Sequence, residues 1–130
     1  MMAVSGRYTA VLDACVLFPR LHRDILLSLA DAALYTARWS AEIEKEWTKN
    51  YKKKYPDAKL DYLLECMRQA VPDALIVGYE EFIQAIQLPD PDDRHVVAAA
   101  IRGNADAIVT ANIKDFPAAV LSKYDIGACK

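Results

Sequence analysis

Short apolar runs alternate along this chain with helical segments of ten residues or more, and that alternation restricts the fold more than any other feature. Tyr8–Leu12, Leu34–Ala37, Ala74–Val77, Ala107–Thr110 and Tyr124–Gly127 read as strands. Between the first two, Leu21–Leu34 carries apolar residues at 21, 25, 26, 29, 30, 33 and 34, a helical period. Ser40 is placed as an N-cap, with Glu42 and Glu44 in the first turn, for a helix reaching about Lys54. Pro56-Asp57 restarts a helix that Pro72 ends, and Glu80–Ile86 reads as a short one. A further helix starts at Asp92-Asp93 and stops near Gly103, and Asp115-Phe116-Pro117 opens the last. Strands separated by helices need crossovers, and crossovers give a parallel sheet covered on both faces. The expectation is an α/β chain whose 130 residues form one domain, 1–130.

Composition removes several functions. Hydrophobic residues make up 54% and charged residues 26%, a globular balance rather than a disordered one. The net charge of −2 excludes a globally basic, histone-like binder. The longest apolar run, Val96–Ile101, is too short for a bilayer, so no membrane association is expected. Residues 1–7 show no secretory signal, and Cys15, Cys66 and Cys129 lack paired spacing. Together these favour a reducing, cytoplasmic setting. Locally the charge is uneven. Lys45 to Lys59 holds six lysines and two acids, whereas Asp73 to Asp93 holds six acids and no Lys or Arg. A cation-holding pocket beside a polyanion-holding ridge is the layout a metal-dependent nuclease needs, although each run alone is also an ordinary solvated surface.

In parallel sheets, ligands sit beyond the carboxyl ends of the strands. Asp13 follows the first strand, where a carboxylate must be bonded, paired or metal-bound, or else cap a turn. Thr110, Asn112 and Asp115 follow another strand and open on the same edge, with helix capping the alternative for the last two. Asp92 and Asp93 begin an Ala/Val-rich helix, whose dipole stabilises their charge. Capping explains one of them more readily than both. His95 is assigned a structural or surface role. Glu42 and Glu46 share a helix face at a like-charge spacing that a cation would turn favourable, while Glu42 and Glu44 are read as solvated. Hard oxygen donors without a Cys/His set select Mg²⁺ or Mn²⁺.

Four blocks then resemble, in order, the motifs of PIN-domain proteins, in the branch of VapC-type toxins of bacterial toxin–antitoxin operons. They are Val11-Leu12-Asp13-Ala14-Cys15-Val16-Leu17, Ser40–Trp47, Leu88–Ala100 and Ala107–Pro117. The resemblance implies a three-layer α/β/α sandwich with a central, mainly parallel sheet and a metal-dependent ribonuclease site. It places Asp13, Glu46, Asp93 and Asp115 as the catalytic, metal-holding acids, with Thr110, Asn112 and Asp92 supporting. Many relatives carry an acid where this chain has Asn112, and many continue beyond the equivalent of Lys130, so the chain is naturally short or truncated at its carboxyl end.

The expected reaction is phosphodiester hydrolysis in RNA assisted by one or two Mg²⁺ or Mn²⁺ ions, with no protein nucleophile. Lys49, Lys52, Lys53 and Lys54 are candidates for the RNA backbone, with Tyr51 or Tyr55 for base stacking, and a polar helix end is the plainer reading of that stretch. A cognate antitoxin follows from the resemblance, and apolar residues on the first two long helices suit a homodimer. The alternatives are a catalytically inactive RNA- or protein-binding module on the same fold, or an aspartyl-phosphate enzyme or phospho-receiver. The last two are disfavoured because Asp13-Ala14-Cys15 lacks their paired acids.

Overall fold

The computed structural model describes residues 8–130; residues 1–7, read above for a signal sequence, lie outside it. Five strands form one parallel sheet: β1 (Thr9–Leu12), β2 (Thr36–Ser40), β3 (Leu75–Ile76), β4 (Ala107–Val109) and β5 (Gly127–Cys129). Their order is β3-β2-β1-β4-β5. The helices are α1 (Ala14–Leu17), α2 (Arg20–Asp31), α3 (Ala41–Lys54), α4 (Leu60–Ala70), α5 (Arg94–Arg102) and α6 (Ala118–Leu121). The chain steps from β1 to β2 to β3 on one side of β1, then returns past it to β4 and β5. With right-handed crossovers this reversal puts α1–α4 on one face and α5 and α6 on the other, the expected three-layer sandwich. The strand order reverses between β1 and β4, so the crevice at their carboxyl ends is where a ligand belongs.

Two helices carry most of the packing around that crevice. In α5, Val96, Val97, Ala98, Ala99 and Ala100 are all fully buried, an all-round apolar helix enclosed by the sheet and a 3₁₀ helix at Glu80–Ala85. In α3, Ile43 and Trp47 are buried and Ser40 Oγ accepts from Ile43 N at 3.1 Å, the expected N-cap. Gly103 ends α5 by allowing close approach: a Cβ there would stand 2.9 Å from Ile76 Cδ1.

Several boundaries differ from the sequence expectation. β2 begins at Thr36 and runs on to Ser40, because Trp39 is fully buried and its backbone N–H donates to Ala74 O at 3.0 Å beside β3. α4 starts at Leu60, since residues 56–59 are spent on a turn. The last strand is Gly127–Cys129, not Tyr124–Gly127: Asp125 is left-handed at φ 57°, which a strand cannot contain. Buried Ile126 supplied the misleading apolar signal. The first long helix stops at Asp31 rather than Leu34.

That stop has the same geometry as the end of α5. Leu34 N donates to Leu29 O and Ala33 N to Ala30 O; likewise Ala105 N donates to Ala100 O and Asn104 N to Ile101 O. Each is a closing motif with one left-handed residue, Ala33 at φ 63° and Asn104 at φ 51°. Asparagine tolerates that region and alanine does not, at a cost of about 1–2 kcal/mol. Ala33→Gly therefore stabilises the protein by about 0.5–1 kcal/mol after its extra unfolded-state entropy is deducted, read as a higher urea midpoint at unchanged slope.

Candidate active site

Asp13 is the fixed point of the crevice. It follows β1, and its N–H donates to Val109 O of β4 at 3.0 Å, which continues the β1–β4 pairing by one residue. Its side chain, only 6% exposed, accepts from Ala14 N at 2.8 Å through Oδ1 and from the Thr110 hydroxyl at 2.9 Å through Oδ2. Asp13 thus does cap α1, and the same bonds hold its carboxylate at the mouth of the crevice. Thr110 Oγ1 in turn accepts from Asn112 N at 3.1 Å.

A cleft of about 450 Å³ opens over Asp13, lined also by Cys15, Phe18, Glu46, Trp47, Asn50, Asp93 and Asn112. Glu46 arrives from the middle of α3. Asp93 arrives from the 3₁₀ turn Pro91–Asp93, and the structure shows why it is free to do so. Asp90 performs the capping there, its Oδ1 accepting from Asp92 N at 2.9 Å, and the Asp93 side chain makes no cap bond. Asp92 faces a different cleft. Neither Asn112 nor Pro117 forms a side-chain cap bond, so the 3₁₀ turn Ile113–Asp115 and α6 begin uncapped. Asp115 is half-buried and near enough for its charge to act on Asp93, though it does not line the cleft.

The electrostatics are those of acids without a counter-charge. No lysine or arginine lines the cleft. Glu46 is pushed up to about 7, by burial first and then by the charges of Asp13, Asp93, Glu42 and Asp92. Asp93 is pushed up to about 6, again by burial first and then by Asp13, Asp90, Asp115 and Asp92. Hard carboxylate oxygens of this kind suit Mg²⁺ or Mn²⁺. Among the described residues, however, no three acidic, histidine or cysteine side chains stand close enough to share one ion. The acids wall a common cleft without closing on a point.

Several participants were not legible in the sequence. Cys15 Sγ lies 3.4 Å from Thr110 Oγ1 and 3.5 Å from Asp13 Oδ2, and accepts from Ala111 N at 3.2 Å. Burial first, and the Asp13 charge, push its thiol up, so it stays neutral beside the carboxylate. Asn50 stands one helical turn beyond Glu46, a spacing that was available as a signal. Arg23 is the buried residue of α2: it donates to Leu17 O at 2.9 Å and Phe18 O at 3.1 Å, with its guanidinium over Trp47 at 4.8 Å and Tyr51 at 5.1 Å. It ties α1 to the floor of the cleft.

Two expectations are corrected here, for Glu44 and Tyr51. Glu44 is buried rather than solvated, accepting from Trp39 Nε1 at 3.0 Å and lying 3.4 Å from Arg68. Of the two roles open to His95, structural or surface, its burial fits the structural one. Tyr51 is not available for stacking: it packs edge-on against Phe18 and Trp47 and beside Tyr55. The lysines also separate. Lys54 sits over the Phe18 and Tyr55 rings, whereas Lys49, Lys52 and Lys53 line a groove on another side of α3.

The fold and its acidic crevice agree with comparison to known proteins. The family model described as PIN domain matches residues 9–114, and the chain belongs to that family. The chain is 46% identical over 55 residues to a protein of Mycobacterium tuberculosis (strain ATCC 25618 / H37Rv) named "Putative ribonuclease VapC50". That segment is 42% of this chain and 32% of the relative, so the match spans about a third of the relative's length. No solved structure matches.

The raised acids make the metal-free protein sensitive to pH. Groups with folded pKa above their unfolded values contribute stability that is full below the unfolded values, near 4, and lost as pH rises through about 6 and about 7. In chelator, the melting temperature should fall between pH 4 and 8. Glu46→Gln should flatten the upper part of that fall.

Proposed function

We propose that this protein is a divalent-metal-dependent endoribonuclease, the toxin of a cytoplasmic toxin–antitoxin pair. One observation carries the reading. Asp13, Glu46 and Asp93, from three separate elements, wall one cleft at the strand-order switch with no basic side chain among them. Their mutual repulsion is what a divalent cation relieves, and RNA brings the anionic phosphodiester such a cation attracts. The family and the partial relative support the same class.

Asp13, Glu46 and Asp93 would hold Mg²⁺ or Mn²⁺, with Asp115 adding negative charge at the edge. The chemistry such an ion supplies is Lewis acidity toward phosphate and water at neutral pH. The protein's own part is positioning. Thr110 and Ala14 N–H fix the Asp13 oxygens, Asn112 and Asn50 offer polar groups at the rim, and Trp47 and Phe18 exclude water from one wall. Neutral Cys15 adds no further charge.

The partners follow from the same reading: RNA as substrate, a cognate antitoxin and a second copy of the chain. Leu21, Ile25 and Leu29 lie on one stripe of α2 and are exposed, as an apolar interface requires. Among the described residues no helix is long and apolar enough to cross a membrane.

Single-stranded RNA incubated with the protein in Mg²⁺ or Mn²⁺ should be cut, and excess chelator should stop cutting. Asp13→Asn should lower the rate about 100-fold or more, since several kcal/mol of charge stabilisation depends on that oxygen pair. Thr110→Val should weaken metal affinity about 10–100-fold while leaving residual activity at saturating metal. Metal should also raise the melting temperature of the wild type but not of Glu46→Gln. An inactive binding module would bind RNA equally well in both proteins, with no cleavage and no metal shift.

A further inference from the structure

A second cleft lies on the other side of Glu46. Its volume is about 470 Å³, and Glu42, Lys45, Glu46, Lys49, Ile83, Pro91, Asp92, Arg94 and His95 line it. Glu46 therefore walls both this cleft and the acidic one. Lys45 and Lys49 line both this cleft and a third groove, which also holds Lys52 and Lys53. The three depressions are thus neighbours, in an order that runs from carboxylates to lysines.

The middle cleft has an unsatisfied interior. His95 is 6% exposed, and its Nδ1 is buried with no hydrogen-bond partner, 4.0 Å from Glu42 Oε1. That same oxygen accepts from the Tyr79 hydroxyl at 3.1 Å. A buried polar atom without a partner is costly; Nδ1 is closed to solvent, so the partner available to it is Glu42, brought closer when a group fills the cleft and engages the two side chains. Ile83 and Pro91 give the cleft an apolar surface, while Lys45 and Lys49, one turn apart on α3, are exposed at its rim.

We propose that this cleft seats one RNA nucleotide next to the phosphodiester being cleaved. Its ring packs on Ile83 and Pro91, its polar edge or ribose hydroxyl engages His95 and Glu42, and its phosphate lies toward Lys45 and Lys49. Three cations, Lys45, Lys49 and Arg94, share the cleft with three carboxylates, Glu42, Glu46 and Asp92, and an apolar face; a nucleotide matches that mixture, with its phosphate on the cations, its donor groups on the carboxylates and its flat ring on the apolar face. One RNA strand can reach both clefts, because Glu46 borders each. This inference rests on the ribonuclease reading and extends it to substrate positioning.

The test compares two substrates and three sets of variants. Lys45→Ala should raise KM for a single-stranded RNA oligonucleotide about tenfold with little change in kcat. It should leave hydrolysis of bis(p-nitrophenyl) phosphate, which has no neighbouring nucleotide, unchanged. His95→Leu should act in the same direction and His95→Asn should recover part of the loss, with melting curves checking that both fold. Lys123→Ala, before β5 at the opposite edge of the sheet, should do nothing. An unchanged KM in Lys45→Ala, or an equal rise in Lys123→Ala, overturns the subsite. If the wild type cleaves neither substrate, the ribonuclease reading fails separately, and metal-free oligonucleotide binding by fluorescence anisotropy then decides. Loss of binding in Lys45→Ala alone retains the nucleotide site, while equal binding, or none by the wild type, removes it.

Discussion

A carboxylate taken out of water has to be held by fixed partners, and the centre of this structure is arranged around one that is. Asp13 is buried at the point where the strand order reverses. Its desolvation is offset by the Ala14 N–H and the Thr110 hydroxyl. Ala14 is the next residue, but Thr110 is within reach only because β1 and β4 are neighbours, in the register that opposes Leu12 to Val109. The buried acid and the sheet topology therefore specify each other. Losing the β1–β4 pairing would take one of two partners from a buried charge, and losing the charge would leave the Thr110 hydroxyl only the weaker Cys15 sulfur to donate to.

Around this fixed carboxylate the other acids approach from less constrained elements. Glu46 stands on an ordinary helix turn, and Asp93 is released from capping because Asp90 does that work. One wall of the crevice is thus rigid and hydrogen-bonded, and the opposite walls repel both it and one another. Arg23 is a buried cation, but it lies among Trp47, Tyr51 and the carbonyls of Leu17 and Phe18 and does not line the cleft. It stabilises the scaffold without neutralising the cleft. A site so built leaves its carboxylates without a resident side-chain ion pair.

Much of this could be read in the residue order. The alternation of strands and helices gave the layered parallel sheet, Ser40 and Lys54 marked α3 correctly, and Asp13, Glu46 and Asp93 do meet at one cleft. Errors arose where apolar pattern and backbone conformation disagreed. Ile126 looked like strand although Asp125 is left-handed, and Glu44 looked solvated although Trp39 and Arg68 draw it inward. On α2, residue order alone did not separate core from interface: Leu21, Ile25 and Leu29 face outward, and the side chain the helix buries is Arg23.

The amino-acid order by itself determined the element types and which acids stand at their ends, because periodicity, capping and chain breaks act over a few neighbouring residues. Only the tertiary structure decided that Asp93 rather than Asp92 joins Asp13 and Glu46, that His95 is enclosed beside Glu42, and that Glu46 divides two clefts. Those facts depend on how helices from distant parts of the chain are rotated against one sheet, and a rotation of a fraction of a turn exchanges one side chain for its neighbour.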